Sequence, residues 1–155
     1  MKKDVEYYMN QCINLGEKAL ANGNPPVGAI VLYKGNVIGY GMESVKPNHD
    51  ITNHAEIIAI RQAIKKGYLN KLHLTSLYTT HEPCIMCSYV IRHHRISEII
   101  YGTDVPYVGG CTSHFNILDS DKIPKWGSNP KVVSGICLDK CDELNEKFLE
   151  ILNKP

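Results

Sequence analysis

Two short motifs constrain this chain more than anything else in it: His54-Ala55-Glu56 and, thirty residues beyond the histidine, Pro83-Cys84-Ile85-Met86-Cys87. One imidazole and two thiolates are donor types that suit Zn²⁺, and a C-x-x-C pair wraps one turn of backbone around one ion. Any fold available to the chain must therefore bring these two segments side by side. His54, Cys84 and Cys87 make three donors and leave one tetrahedral position open, where a purely structural site would want a fourth ligand. Glu56 is left over beside the histidine, placed to move protons at that open position.

With 155 residues the chain is expected to form one domain, 1–155, burying roughly 70% of its unfolded surface without covalent staples. Its formal net charge of +1 gives no basic footprint for a polyanion and points to small neutral substrates. Of the six cysteines two belong to the motif, and Cys12, Cys111, Cys137 and Cys141 show no framework spacing, so a reducing compartment is expected. Cys137 and Cys141 have no third donor nearby and read as buried small hydrophobes. The start Met1-Lys2-Lys3-Asp4-Val5-Glu6 leads into no apolar run of signal length, and no segment reaches the length of a membrane span. A cytoplasmic protein with no membrane partner is expected.

Val5, Tyr8, Met9 and Cys12, continued by Leu15 and Ala19, form a helical apolar stripe that ends in Asn22-Gly23-Asn24-Pro25-Pro26, with Gly23 as a C-terminal cap. Residues 27–32 and 37–41 read as a strand pair joined by the tight turn Lys34-Gly35-Asn36. Residues 42–52 are polar and irregular, with Pro47, Asn48 and Asp50, and His54 then opens a helix to about Lys66. A third strand over 74–80 delivers the chain to Pro83 and Cys84, where a helix with the proline in its first turn runs to about His94. Residues 96–102 form a fourth strand, 103–129 a long segment with little pattern, and 131–136 a short β-prone stretch. A closing amphipathic helix follows, with Asp139 as its N-cap. The order predicts an α/β fold: a three-layer α/β/α sandwich around a mixed sheet of about five strands. Both motifs then sit at helix N-termini, where the dipole favours thiolate over thiol.

Pro26-Val27-Gly28-Ala29-Ile30-Val31, Asn53-His54-Ala55-Glu56-Ile57, the run from Leu77 to Cys87, and Tyr101-Gly102 resemble the cytidine deaminase-like superfamily. Within it the chain is most similar to the branch of tRNA adenosine, guanine and cytosine deaminases, whose zinc enzymes carry H-x-E with P-C-x-x-C. The resemblance covers almost the whole chain and is strongest over 26–102. It implies a zinc-dependent hydrolytic deaminase on a five-stranded sheet, commonly a homodimer, with Zn²⁺ held by His54, Cys84 and Cys87 and with Glu56 as proton shuttle.

Glu43, Asn53, His81, His114 and Phe115 are the candidate substrate contacts. Most of that branch places an asparagine where this chain has Glu43. An ionised glutamate only accepts hydrogen bonds and would select N–H donors on a heterocycle, the plain alternative being a solvent-facing loop residue. Asn53 is alternatively a helix cap and His81 a pocket wall. His114, Phe115 and Trp126 either stack on a planar base or build a subunit contact. His93 and His94 close a helix and suit its dipole. The last helix carries Asp139, Asp142, Glu143, Glu146 and Glu150, and no dense basic patch is visible. The expected substrate is therefore a free nucleobase or nucleoside, with tRNA adenosine as the alternative. A third alternative, a zinc-stabilised binding module without turnover, would take a fourth ligand from His81 or Cys111.

Overall fold

The structure, a computed structural model, describes residues 3–46 and 48–154. Met1 and Lys2 of the charged start and Pro47 of the irregular stretch lie outside the described residues. Helix α1 (Val5–Ala21) begins on Asp4, whose side chain accepts from the Tyr7 amide at 2.8 Å, and stops at Asn22, with Gly23 at φ 81° turning the chain away. Strands β1 (Gly28–Tyr33) and β2 (Asn36–Met42) form a hairpin whose two loop residues, Lys34 and Gly35, both have positive φ, as a turn matched to strand twist requires. Then come α2 (Ala55–Lys65), β3 (Ser76–His81), α3 (Ile85–His93), β4 (Glu98–Thr103), β5 (Lys131–Val133) and α4 (Leu138–Leu152).

The sheet order is β2-β1-β3-β4-β5. β1 is antiparallel to both neighbours, whereas β3, β4 and β5 run parallel, so the sheet is mixed as expected. Alternation along the strands divides the core. Ala29, Val31, Leu77 and Ile99 face α2 and α3, while Ile30, Leu32, Tyr78 and Ile100 face α1 and α4. The α2 layer lies unusually close to the sheet. A Cβ on Gly41 would collide with the Ala55 carbonyl and one on Gly39 with the Ala59 carbonyl, so only bare backbone in β2 lets α2 settle with its N-terminus at the ends of β1 and β3.

Three local readings differ from the structure. The third strand starts at Ser76 because Leu69–Leu74 winds into a 3-10 turn that buries Leu72. Pro83 stands before Cys84, the N-cap of α3, and so precedes the helix instead of occupying its first turn. The N-cap of α4 is Cys137, held at φ 52° with no side-chain cap bond, and Asp139 sits one position inside the helix, where its charge suits the dipole.

The 103–129 segment is more ordered than its composition suggested. Two 3-10 turns, Ile117–Asp119 and Pro124–Trp126, bury Leu118 and Trp126. Arg92 of α3 organises them. It is 1% exposed, donates from Nη1 to the carbonyls of Ile117 (2.8 Å), Leu118 (3.3 Å) and Ser120 (2.9 Å), and lies 5.0 Å from the Trp126 ring centroid. Trp126 is thus core and neither a lid nor an exposed contact. Arg92→Ala is expected to cost about 3 kcal/mol of unfolding free energy, because the carbonyls of Ile117, Leu118 and Ser120 lose a charged donor and the buried guanidinium leaves a void. Urea denaturation followed by circular dichroism reads this, and a loss below about 1 kcal/mol would contradict it.

Candidate active site

The sheet and its two inner helices converge on the two motifs. His54 caps α2 and Cys84 caps α3, both with extended backbone, and Cys87 lies one turn into α3. The Sγ atoms of Cys84 and Cys87 each stand 3.5 Å from His54 Nδ1, and the three donor atoms lie within 4.8 Å of one another. Neither His81 nor Cys111 joins that group among the described residues, which leaves three ligands and not four. The donor set and its electrostatics fit zinc. Hydrogen bonding to Cys87, helped by His54, brings the Cys84 thiol down to about 4, the form that binds a cation. The bond to Cys84 in turn raises His54 to about 9, and the same partner pushes the Cys87 thiol up.

Glu56 projects from the first turn of α2 into this centre and is 3% exposed. Burial raises its carboxyl above the ordinary range. The Cys87 Sγ lies 3.5 Å from Oε2, and the Thr79 hydroxyl of β3 lies 3.1 Å from Oε1 and 3.1 Å from the His81 carbonyl. Beside them opens a cleft of about 170 Å³ lined by Val27, Glu43, His54, Glu56, His81, Glu82, Cys84, Val105 and Val108.

Of the candidate substrate contacts, Glu43 and His81 reach this cleft. Glu43 is 5% exposed, not solvent-facing, with Oε1 lacking a hydrogen-bond partner and 3.8 Å from His54 Nδ1. Burial and the neighbouring Glu56 push its carboxyl up to about 8, so near neutral pH it both donates and accepts, unlike the acceptor-only group expected from its type. His81 is a wall whose ring nitrogens are already engaged, Nδ1 2.7 Å from the Thr80 hydroxyl and Nε2 2.6 Å from Asn145 Oδ1. Burial holds it below the usual histidine range, in keeping with a neutral ring that accepts from Thr80 and donates to Asn145.

The other three candidates lie outside the cleft. Asn53 neither caps α2 nor faces the cavity: its amide donates to the Ser44 carbonyl at 3.4 Å and its oxygen accepts from Arg61 at 3.2 Å, tying the irregular loop to α2. His114 and Phe115 pack edge to face, 5.6 Å apart, and are exposed. In their place Val105 and Val108 line the cavity, together with Glu82, whose position before a proline reads in sequence as an ordinary surface acid. Thr79 carried no signal beyond its alternation on β3.

A cluster of three donors able to hold a metal ion, with a buried acid beside it, set at helix N-termini over a mixed sheet, is the arrangement a hydrolytic metal site needs. The match to known families narrows this: residues 2–103 match the cytidine and deoxycytidylate deaminase zinc-binding region, and the chain belongs to that family. It is 33% identical over 152 residues to tRNA-specific adenosine deaminase 2 of Xenopus laevis, covering 94% of this chain and 86% of that protein. It is 35% identical over 150 residues to the tRNA-specific adenosine deaminase of Aquifex aeolicus, covering 95% of each. A solved structure from a study of A-to-I editing by tRNA:A34 deaminases at the wobble position of transfer RNA superimposes with a TM-score of 0.81 at 29% identity, covering 89% of this chain and 98% of that one. The guanine deaminase of Bacillus subtilis gives 0.61 at 31%, covering 66% of each. The chain is thus a zinc-type deaminase, a hydrolase of C–N bonds. No helix among the described residues is long and apolar enough to cross a membrane.

Proposed function

We propose that this protein deaminates adenosine within tRNA to inosine, releasing ammonia. The observation that carries this reading is near full-length similarity, above 30% identity, to two proteins named tRNA-specific adenosine deaminase. It reverses the preference drawn from net charge and the acidic last helix, because those features speak to affinity for a polyanion and not to the reacting base.

His54, Cys84 and Cys87 would hold the zinc, which would supply the Lewis acidity that makes a water nucleophilic near neutral pH. The water oxygen adds to the ring carbon bearing the amino group, and the bond from that carbon to the amino nitrogen breaks. Glu56 carries the first proton of the water to the ring nitrogen and then the proton of the new C–OH group to the amino nitrogen, so that the carbonyl forms as ammonia leaves. Thr79 suits both states of that carboxyl, donating to the carboxylate, or turning its proton to the His81 carbonyl and accepting from the acid. Glu43, free at Oε1 and able to donate and accept, holds the edge of the base. Glu43→Ala is expected to raise KM roughly tenfold with a smaller change in kcat, the loss of one buried hydrogen bond. An unchanged KM would remove Glu43 from recognition. His114 and Phe115, exposed outside the cleft, suit stacking on nucleotides flanking the target.

The second reading, a free nucleobase or nucleoside, is favoured by the small size of the cleft and the likeness to guanine deaminase. Inosine formation in an anticodon stem-loop with a wobble adenosine, set against ammonia release from cytosine, guanine and adenosine, separates the two. Turnover of a free base with none of the stem-loop would sink the first. A cytoplasmic homodimer completes the proposal, and light scattering on the purified protein tests its subunit number.

A further inference from the structure

Glu82 is 2% exposed, lines the cleft, and has no part in the proton path above. All its partners come from one stretch of chain. Oε1 accepts from the Val105 amide at 2.8 Å and the Thr112 hydroxyl at 2.5 Å, and Oε2 accepts from the amides of Cys111 at 2.8 Å and Thr112 at 2.7 Å. The Gly110 amide donates to the Pro83 carbonyl at 2.7 Å, and Gly109 forms a bridge with the ligand Cys84. The fit is close, since a Cβ on Gly109 would strike the Glu82 carboxylate and one on Gly110 the Ser88 side chain. Residues 105–112 are therefore wrapped around a single carboxylate two positions before Cys84, and they bring Val105 and Val108 to the cleft.

We infer that Glu82 is a positioning residue for deamination: it holds residues 105–112 against the metal site so that Val105 and Val108 form the substrate wall, and thereby sets how tightly the base is gripped. The inference rests on the deaminase reading. Both oxygens act only as acceptors, so in Glu82→Gln the new NH₂ group faces at least one backbone N–H whichever way the amide is turned. The zinc-loaded protein and this variant are compared for metal content, for amide exchange at Val105, Cys111 and Thr112, and for kcat and KM on the wobble-adenosine stem-loop.

The variant is expected to keep its zinc, to lose at least about tenfold of the exchange protection at those amides, and to raise KM about tenfold with kcat changed less than about threefold. Glu82→Asp, which restores the acceptors with a shorter reach, recovers part of both and stands in should the glutamine variant not fold. Unchanged protection would overturn the inference, as would lost protection with unchanged KM. Absence of stem-loop turnover by the unsubstituted protein would overturn the tRNA reading alone, and the exchange at the three amides would still decide whether Glu82 holds the stretch.

Discussion

Glu56→Gln is expected to fold and load zinc as the unsubstituted protein does, while kcat falls by about three orders of magnitude or more. The glutamine has the same shape and can still bond the Thr79 hydroxyl, 3.1 Å from Oε1 in the native site, so packing around a residue 3% exposed is preserved. What it lacks is a place to hold a proton. Water attack and the collapse of the adduct release two protons in turn, one for the ring nitrogen and one for the amino group; Glu56 lines the cleft with Oε2 3.5 Å from the Cys87 Sγ, beside the donor cluster. His81, another titratable residue of the cleft wall, has both nitrogens committed to Thr80 and Asn145. Single-turnover inosine formation with metal content measured on the same sample checks this. Near-normal turnover in the zinc-loaded variant would take Glu56 out of the proton path.

Cys84→Ala is expected to abolish stoichiometric zinc and with it all measurable turnover, because two donors cannot hold the ion that three hold. The native ligands also predict how binding varies with pH. At pH 7 Cys84, lowered to about 4, is already a thiolate, whereas His54, raised to about 9, and Cys87, pushed up by its partner, still carry protons. Zinc added back after chelation must displace those protons, so uptake at pH 7 releases about two protons and tightens as pH rises toward 9. Calorimetry in buffers of different ionisation enthalpy counts them. Uptake with no proton release, or affinity that falls as pH rises, would show that the ligands are not in these states.

The metal donors were legible in the sequence because coordination chemistry restricts both residue type and spacing, and strand β1 was legible because residues 27–32 are an unbroken apolar run of strand length. The rest depended on contacts distant in the chain. Arg92 sits between Ile91 and His93 near the end of a short helix, and its charge reads as surface, yet its partners are the carbonyls of a segment more than twenty residues on. Glu82 likewise finds its donors at 105, 111 and 112. Glu43 could be placed near the substrate by resemblance, but its ability to donate follows from burial beside Glu56, which no residue type announces. Asn53 looked like a helix cap from its position, and only the Ser44 carbonyl and Arg61, brought in by the fold, reveal it as a loop tie.

The ends of β3 and β4 flank the cleft, and α4 is fastened to both: Asn145 to His81, and Asp142 to the Thr103 hydroxyl at 2.7 Å. Helix α4 is therefore a crossbar of the candidate pocket and not a trailing handle. Anyone reshaping this enzyme by shortening it has a firm limit on this side, since a cut before Asp142 would strip two strand ends of their brace and leave the His81 Nε2 without its partner inside the pocket wall. Fusions placed beyond Leu152, by contrast, attach to the free end of that bar and leave its fastenings alone.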